Sequence, residues 1–222
     1  MGTGPAGGLV GPSGKRKKIN LMDLICLDLE GVLVPEIWIA VAEKTGLEEL
    51  RLTTRDISDY DELMNYRLGI LDREGILLKD IQNVIETLEP LEGAVDFTRT
   101  LREESQLVIL SDTFSQFAAP LMKKLELPTL FCNTLLVEGN GRISGIKLRQ
   151  KDGKRKAVEA FRSMGLRVFA AGDSYNDVTM LKAAHQGMFF RSPQSIRDEF
   201  PSFPGVETHK ELLSGIRSFL NA

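Results

Sequence analysis

Three short apolar runs, each ending in polar or acidic residues, constrain the fold of this 222-residue chain. They are MDLICLDL at 22–29, QLVILS at 106–111 and RVFAAG at 167–172. Runs of this length and composition are typical of buried β-strands. Helix-like stretches separate them, and strands that alternate with helices predict an α/β fold with a parallel sheet covered by helices on both faces. The polar residues should therefore meet at the carboxyl edge of the sheet, where such folds bind ligands.

The rest of the chain divides into an interrupted core and one helical block. Helical spacing is present at 36–50, 59–72, 79–88, 94–104, 114–125, 154–164, 176–184 and 208–220, and a further strand is predicted at 187–190. Asn140-Gly141 lies between two strand-like runs within 130–148 and indicates a hairpin. No strand signal occurs between about 37 and 90. The predicted organisation is therefore a core of residues 22–35 and 92–222, with residues 36–91 inserted as a helical cap.

Composition excludes several classes of function. The net charge of −3 gives no general attraction to nucleic acid or to an anionic membrane, and no apolar run is long enough to span a bilayer. Cys26 and Cys132 are isolated, so a reducing cytoplasm is expected rather than a disulfide framework. Residues 1–21 are rich in Gly and Pro and end in the basic run Lys15–Lys18. We interpret them as an expression tag or flexible leader before Met22, with a localisation or nucleic-acid-binding tail as the alternative.

The three strand ends carry a set of residues that suits metal-assisted chemistry. Four carboxylates, Asp28, Glu30, Asp173 and Asp177, are expected near one another and need positive compensation. Mg²⁺ meets that need with oxygen ligands, whereas the absence of a Cys/His cluster in the sequence argues against a soft metal. Alone, each motif could be a turn or a helix cap. Their combination, in this order and directly after strands, predicts an active site.

These motifs resemble the haloacid dehalogenase superfamily over residues 22–222. Within it, the chain resembles the phosphoserine phosphatases, and most closely the branch that also has phosphoserine:homoserine phosphotransferase activity. Glu30 departs from the Asp of most relatives but belongs to that branch. The resemblance implies a Rossmann-like parallel-sheet core with a small helical cap inserted after the first strand. The matching stretches are LDLEGVLVPEIW, DYDELM, ILSDTF, LRQKD and AAGDSYNDVTML.

The resemblance also implies roles for the acidic residues. Asp28 would attack phosphorus and form an aspartyl-phosphate, and Glu30 would act as general acid and then general base. Mg²⁺ would be held by Asp28, the backbone carbonyl of Glu30 and Asp173. Asp177 would orient Lys154 or a metal-bound water.

Further residues would bind the substrate. Ser111, with the backbone N–H of Asp112, would hold a phosphate oxygen, and Asn176 would contact the substrate. The family spacing selects Lys154 from the basic run Lys151–Lys156 as the phosphate cation, with its neighbours as alternatives and a solvated basic turn as the simpler interpretation of the run.

The predicted cap supplies the groups that would recognise an amino acid. Family position marks Glu36 for the ammonium and Arg67 for the carboxylate of phosphoserine, although both could be ordinary surface charges. Trp38 is expected to pack in the cap, close enough to Glu36 to line the cavity. His185 and His209 are expected at the surface or at helix caps.

The sequence therefore predicts a Mg²⁺-dependent phosphoserine phosphatase that could also transfer phosphate to homoserine, with no nucleic-acid or membrane partner. A phosphatase of another small phosphomonoester is one alternative. A non-catalytic switch phosphorylated on Asp28 is a second, which Glu30 argues against because an acid/base group serves turnover. A purely structural or binding module would leave the clustered carboxylates unexplained. The oligomeric state is open, and a homodimer is one assembly to test.

Overall fold

A seven-stranded sheet forms the centre of the molecule. The computed structural model describes residues 22–53, 56–57 and 59–222, so the interpretation of residues 1–21 lies outside the described part. The strands are β1 (Asp23–Leu27), β2 (Gln106–Phe114), β3 (Thr129–Val137), β4 (Ile143–Lys147), β5 (Arg167–Gly172), β6 (Gln186–Phe190) and β7 (Gly205–Val206). Their order is β4-β3-β2-β1-β5-β6-β7, and all neighbouring pairs are parallel except β3 and β4. The predicted α/β fold on a parallel sheet is confirmed.

Alternate residues of the central strand explain why it reads as a continuous apolar run. Ile25 and Leu27 face one hydrophobic cluster, and Leu24 and Cys26 face a second cluster on the opposite side of the sheet. A strand covered on both faces has no position for a solvent-exposed polar side chain. Polar residues are therefore confined to the ends of β1, where the site begins.

Helices cover both faces of this sheet. They are α1 (Ile37–Thr45), α2 (Tyr60–Arg73), α3 (Leu78–Glu86), α4 (Ala94–Glu104), α5 (Ser115–Lys124), α6 (Gly153–Ser163), α7 (Val178–Ala183), α8 (Gln194–Glu199) and α9 (His209–Leu220). The first cluster contains α4, α5 and α9, and the second contains α6, α7 and α8. None of the described helices combines the length and apolar character needed to cross a membrane.

Residues 36–91, which we call the helical segment, contribute no strand to the sheet in their described part. The segment packs over the carboxyl edge of the sheet. Gln82 Nε2 donates to the Gln116 carbonyl at 3.1 Å, and Lys124 Nζ donates to the Leu88 carbonyl at 2.6 Å. Two further contacts, between the Ile37 N–H and Glu30 and between the Tyr60 hydroxyl and the Asp112 carbonyl, hold the starts of α1 and α2 beside the ends of β1 and β2. A space is thereby enclosed between the helical segment and the sheet.

Three local differences from the sequence predictions have physical causes. The helix predicted at 36–50 ends at Thr45, and a short 3₁₀ helix, Glu48–Arg51, follows Gly46. Strand β2 continues past Ser111 to Phe114, because a register shift lets Phe114 pair with Asn133 of β3. The helix predicted at 176–184 begins as a second 3₁₀ turn, at 175–177.

Candidate active site

A cavity of about 530 Å³ lies between the carboxyl edge of the sheet and the helical segment. This size suits a small-molecule site. Every predicted site residue except Asp177 lines it: Asp28, Glu30, Glu36, Arg67, Ser111, Asp112, Lys154, Asp173 and Asn176. Asp177 lies directly behind the cavity wall, fully buried.

Asp28 directly follows β1 and is held rigidly at the floor of the cavity. Its backbone N–H donates to the Ala171 carbonyl at 3.0 Å, which fixes it beside the end of β5. Its carboxylate Oδ1 accepts from the Leu29 N–H at 2.7 Å and lies 2.9 Å from Lys154 Nζ. Burial, followed by repulsion from Asp177, raises the pKa of Asp28 well above its ordinary value.

Lys154, near the start of α6, is the cation at the centre of this group. Its Nζ lies 2.7 Å from Asp177 Oδ1 and 3.7 Å from Asp112 Oδ2, in addition to its contact with Asp28. Although burial alone would lower it, the pKa of Lys154 is raised well above its ordinary value by these carboxylates, Asp177 first. Lys154 is therefore charged, and within the basic run Lys151–Lys156 it is the residue whose side chain lines the cavity.

Asp177 joins the lysine to the loop that follows β5. Its second oxygen, Oδ2, accepts from the backbone N–H groups of Asp173 and Ser174 at 3.0 and 3.2 Å. A single buried carboxylate thus orients Lys154 and fixes the turn that carries Asp173.

Three carboxylates form a group that fits a hard divalent cation. Asp28, Asp173 and Asp177 each offer an oxygen, and these oxygens lie within 4.8 Å of one another. Burial, then repulsion from Asp177, raises the pKa of Asp173 to about 7. One lysine compensates this charge incompletely, and oxygen donors of this kind suit Mg²⁺. Gly31 permits the close approach, because it has φ +74° and a Cβ there would lie 2.6 Å from the Asp173 carboxylate.

Glu30 and Glu36 form a second acidic pair towards the helical segment. Glu30 Oε2 accepts from the Ile37 N–H at the start of α1, at 2.9 Å, and burial raises the pKa of Glu30. Burial, then repulsion from Glu30, raises the pKa of Glu36 to about 7. The Glu30 carboxylate is thus separate from the three-carboxylate group and is biased towards the protonated form that a general acid requires.

The opposite wall is formed by the end of β2. Ser111 Oγ accepts from the Thr113 N–H at 3.2 Å, and Asn176 Nδ2 donates to Asp112 Oδ2 at 3.0 Å. The longer β2 makes Ser111 and Asp112 strand residues at the cavity edge, ahead of α5. This wall therefore presents the Ser111 hydroxyl and the Asn176 side-chain amide to a ligand.

Arg67 reaches the cavity from α2. Its guanidinium lies 4.6 Å from the centre of the Trp38 ring, and Nη2 donates to the Leu52 carbonyl at 2.7 Å. Its buried Nε has no hydrogen-bond partner among the described residues. Burial lowers the pKa of Arg67 to about 10, so the group stays charged at neutral pH. A charged guanidinium in a cavity wall suits an anionic ligand group.

Sequence reasoning missed two residues of this region. Tyr60 donates its hydroxyl to the Asp112 carbonyl at 3.1 Å and so ties the helical segment to β2. Its position in the DYDELM stretch was the available signal.

Of the two histidines, His185 is exposed, as expected. A surface position for His209 is wrong, because its ring is buried and contacts the Val32 and Glu92 carbonyls. No local pattern reports such distant contacts.

Comparison with known proteins agrees with this geometry. A Pseudomonas aeruginosa protein named phosphoserine phosphatase ThrH is 58% identical over 201 residues, which cover 90% of this chain and 97% of that protein. A Pseudomonas syringae pv. tomato protein named phosphoserine phosphatase is 59% identical over 191 residues, covering 86% of this chain and 81% of the relative. A solved structure of a phosphoserine phosphatase in apo form has a TM-score of 0.72 at 21% identity, covers 87% of this chain and 98% of its own, and shows the same fold. The family model described as haloacid dehalogenase-like hydrolase matches residues 22–185, and the chain belongs to that family.

Proposed function

We propose that this chain is a Mg²⁺-dependent phosphoserine phosphatase that works through a phosphorylated Asp28, with homoserine as a second phosphate acceptor beside water. One observation carries the proposal: a single cavity is lined by Asp28 and Lys154 from the sheet and its following helix and by Glu36 and Arg67 from the helical segment. Phosphoserine carries a phosphate at one end and an ammonium and a carboxylate at the other. The names of the two similar Pseudomonas proteins support the same substrate.

The reaction needs two carboxyl groups with different roles. Asp28 Oδ2 attacks phosphorus, since Oδ1 already accepts from Leu29 and Lys154. As the phosphorus–oxygen bond to serine breaks, Glu30 gives its proton to the leaving seryl oxygen. Water or an acceptor alcohol then attacks phosphorus, its proton returns to Glu30, and the bond to Asp28 breaks. The raised pKa of Glu30 suits the first of these proton transfers.

The remaining predicted residues hold the substrate. Ser111 and the backbone N–H of Asp112 would bind phosphate oxygens beside Lys154, and Asn176 would contact the substrate at the rim. In the helical segment, an ammonium would relieve the repulsion between Glu36 and Glu30, and a carboxylate would pair with the Arg67 guanidinium.

The proposal extends to the metal, the domains and the location. Asp28, Asp173 and the backbone carbonyl of Glu30 would hold Mg²⁺, which would neutralise charge on the transferring phosphate. Residues 36–91 would act as a cap on the core formed by 22–35 and 92–222, selecting the substrate and excluding water. We place the enzyme in the cytoplasm, acting on small molecules, with a homodimer as the assembly to test by light scattering.

Phosphate release from small phosphomonoesters with Mg²⁺ tests the function. We expect phosphoserine to be turned over many times per protein molecule, and Asp28→Asn to abolish this. Adding homoserine should yield phosphohomoserine at the expense of free phosphate. Equal activity of the parent and Asp28→Asn would overturn the proposal. A preference for a phosphosugar over phosphoserine would mean that phosphoserine is not the substrate.

A further inference from the structure

His209, the first residue of α9, is buried between the two chain connections that lead into and out of the helical segment. Its Nε2 lies 2.8 Å from the Val32 carbonyl oxygen, in the incoming connection (residues 29–35). Its Nδ1 lies 3.0 Å from the Glu92 carbonyl oxygen, in the outgoing connection (residues 90–93). One side chain of the core therefore contacts both connections.

The surroundings hold this ring in place. It stacks on Phe190 at 4.7 Å between ring centres and lies 4.9 Å from Phe97 on α4. The two connections also bond to each other, since the Leu91 N–H donates to the Leu33 carbonyl at 2.9 Å. A flat ring between two aromatic side chains has little freedom to turn away from its carbonyl partners.

The carbonyl partners determine the direction of the hydrogen bonds to His209. A carbonyl oxygen only accepts hydrogen bonds, so the histidine must donate. A neutral imidazole donates to one carbonyl and an imidazolium donates to both. A buried carbonyl without a donor is costly, so loss of the ring nitrogens would favour movement of one or both connections.

The incoming connection is also the loop that carries Glu30. Gly31 N–H donates to the Val34 carbonyl at 2.8 Å, and Val34 N–H donates to the Leu29 carbonyl at 3.0 Å. These bonds close the loop into one rigid turn, so the position of Val32 sets the position of Glu30. Gly31 already lies against Asp173, which leaves little room for a shift.

We propose that His209 is a positioning residue: by contacting both connections, and donating a hydrogen bond to at least one of them, it fixes the loop that carries Glu30 and aligns the general acid/base with the leaving group. The inference rests on the proposed function for the role of Glu30. It goes beyond that function because it assigns a task to a residue outside the cavity.

The test compares three variants with the parent. His209→Phe keeps a flat ring between Phe97 and Phe190 but removes both nitrogens, and we expect kcat on phosphoserine to fall at least about tenfold with KM within about twofold. His209→Gln, which retains an amide donor, should recover part of the loss. Thr208→Ala is the matched control, because the Thr208 side chain is exposed and caps the same helix by accepting from the Glu211 N–H. It should lower the melting temperature but leave kcat within about twofold.

A second substrate separates positioning from general damage. The nitrophenolate of p-nitrophenyl phosphate leaves without protonation, so the initial burst should keep its rate in His209→Phe while steady-state phosphate release slows. Equal losses in both phases, a loss confined to KM, or a kcat no lower than that of Thr208→Ala would overturn the inference. If His209→Phe does not fold, the same criteria apply to His209→Gln. A parent protein inactive on phosphoserine would contradict the proposed substrate, and the p-nitrophenyl phosphate measurements would still decide the role of His209.

Discussion

The guanidinium of Arg67 is held in place before any ligand arrives. Trp38 lies under its plane, and the Leu52 carbonyl takes one of its hydrogens, while the buried Nε remains without a partner among the described residues. Such a group loses little side-chain freedom when it pairs with a carboxylate in the cavity. Its effect should therefore depend on whether the substrate carries a carboxylate.

We predict that Arg67→Ala lowers kcat/KM for phosphoserine by about 10- to 100-fold, the loss expected for charge-assisted hydrogen bonds. The rate with p-nitrophenyl phosphate, which has no carboxylate, should change less than about threefold. Arg73→Ala on the same helix is the control, since that side chain is exposed and pairs with Glu49 and Glu74 instead of the cavity. Equal losses on both substrates would show that Arg67 supports the fold rather than the ligand.

Residues inside a motif were predictable, and residues defined by distant contacts were not. Asp28 and Asp173 directly follow β1 and β5, Ser111 lies near the end of β2, and the structure places all three in the cavity wall. The partners of His209 are 117 and 177 residues away in sequence, so no window of the chain could reveal them. The contact between Tyr60 and Asp112 spans 52 residues and was equally hidden.

Among the elements, those with strong hydrophobic periodicity were predicted closely. Helix α4 and strand β5 have the predicted ends, because each buries a regular set of apolar residues between clear breaks. Helix α8 and strand β7 were missed, since six and two residues carry too little pattern to detect. Strand β2 was predicted too short because its register shift depends on pairing with β3.

The β3–β4 hairpin, which the Asn140-Gly141 pair predicted, gives a test at this scale. Gly141 has φ +90°, and its carbonyl accepts from the Leu78 N–H at 2.9 Å, at the start of α3. We expect Gly141→Ala to cost about 1–2 kcal/mol of the free energy of unfolding, because a side chain is strained there. Gly139→Ala, in the same turn with open space around it, should cost less than about 0.5 kcal/mol. Urea unfolding measures both, and equal costs would contradict the assigned turn geometry.

At the scale of the whole molecule, the modest net charge of −3 hides a strong local imbalance. Folding brings together carboxylates that are up to 145 residues apart in the chain, and the pKa values of Asp28, Glu30, Glu36 and Asp173 all rise, chiefly through burial. Composition could not predict this, because it depends on which strand ends meet. The fold therefore concentrates carboxylates at one site, which favours the binding of a cation there.

This concentration of carboxylates predicts how the stability of the folded protein responds to pH and to metal. Between the ordinary carboxyl pKa near 4 and the raised values of about 7 for Glu36 and Asp173, the metal-free folded protein binds more protons than the unfolded chain. Its stability should therefore be greatest at the acidic end of this window and fall as the pH rises through it. Mg²⁺ binds the ionised carboxylates, so it should raise the melting temperature by several degrees at about pH 8 and by less at about pH 5.5. Thermal melts with EDTA or Mg²⁺ at both pH values measure this, and Asp173→Asn should reduce both effects. A Mg²⁺ shift in Asp173→Asn as large as in the parent would mean that the cation binds elsewhere.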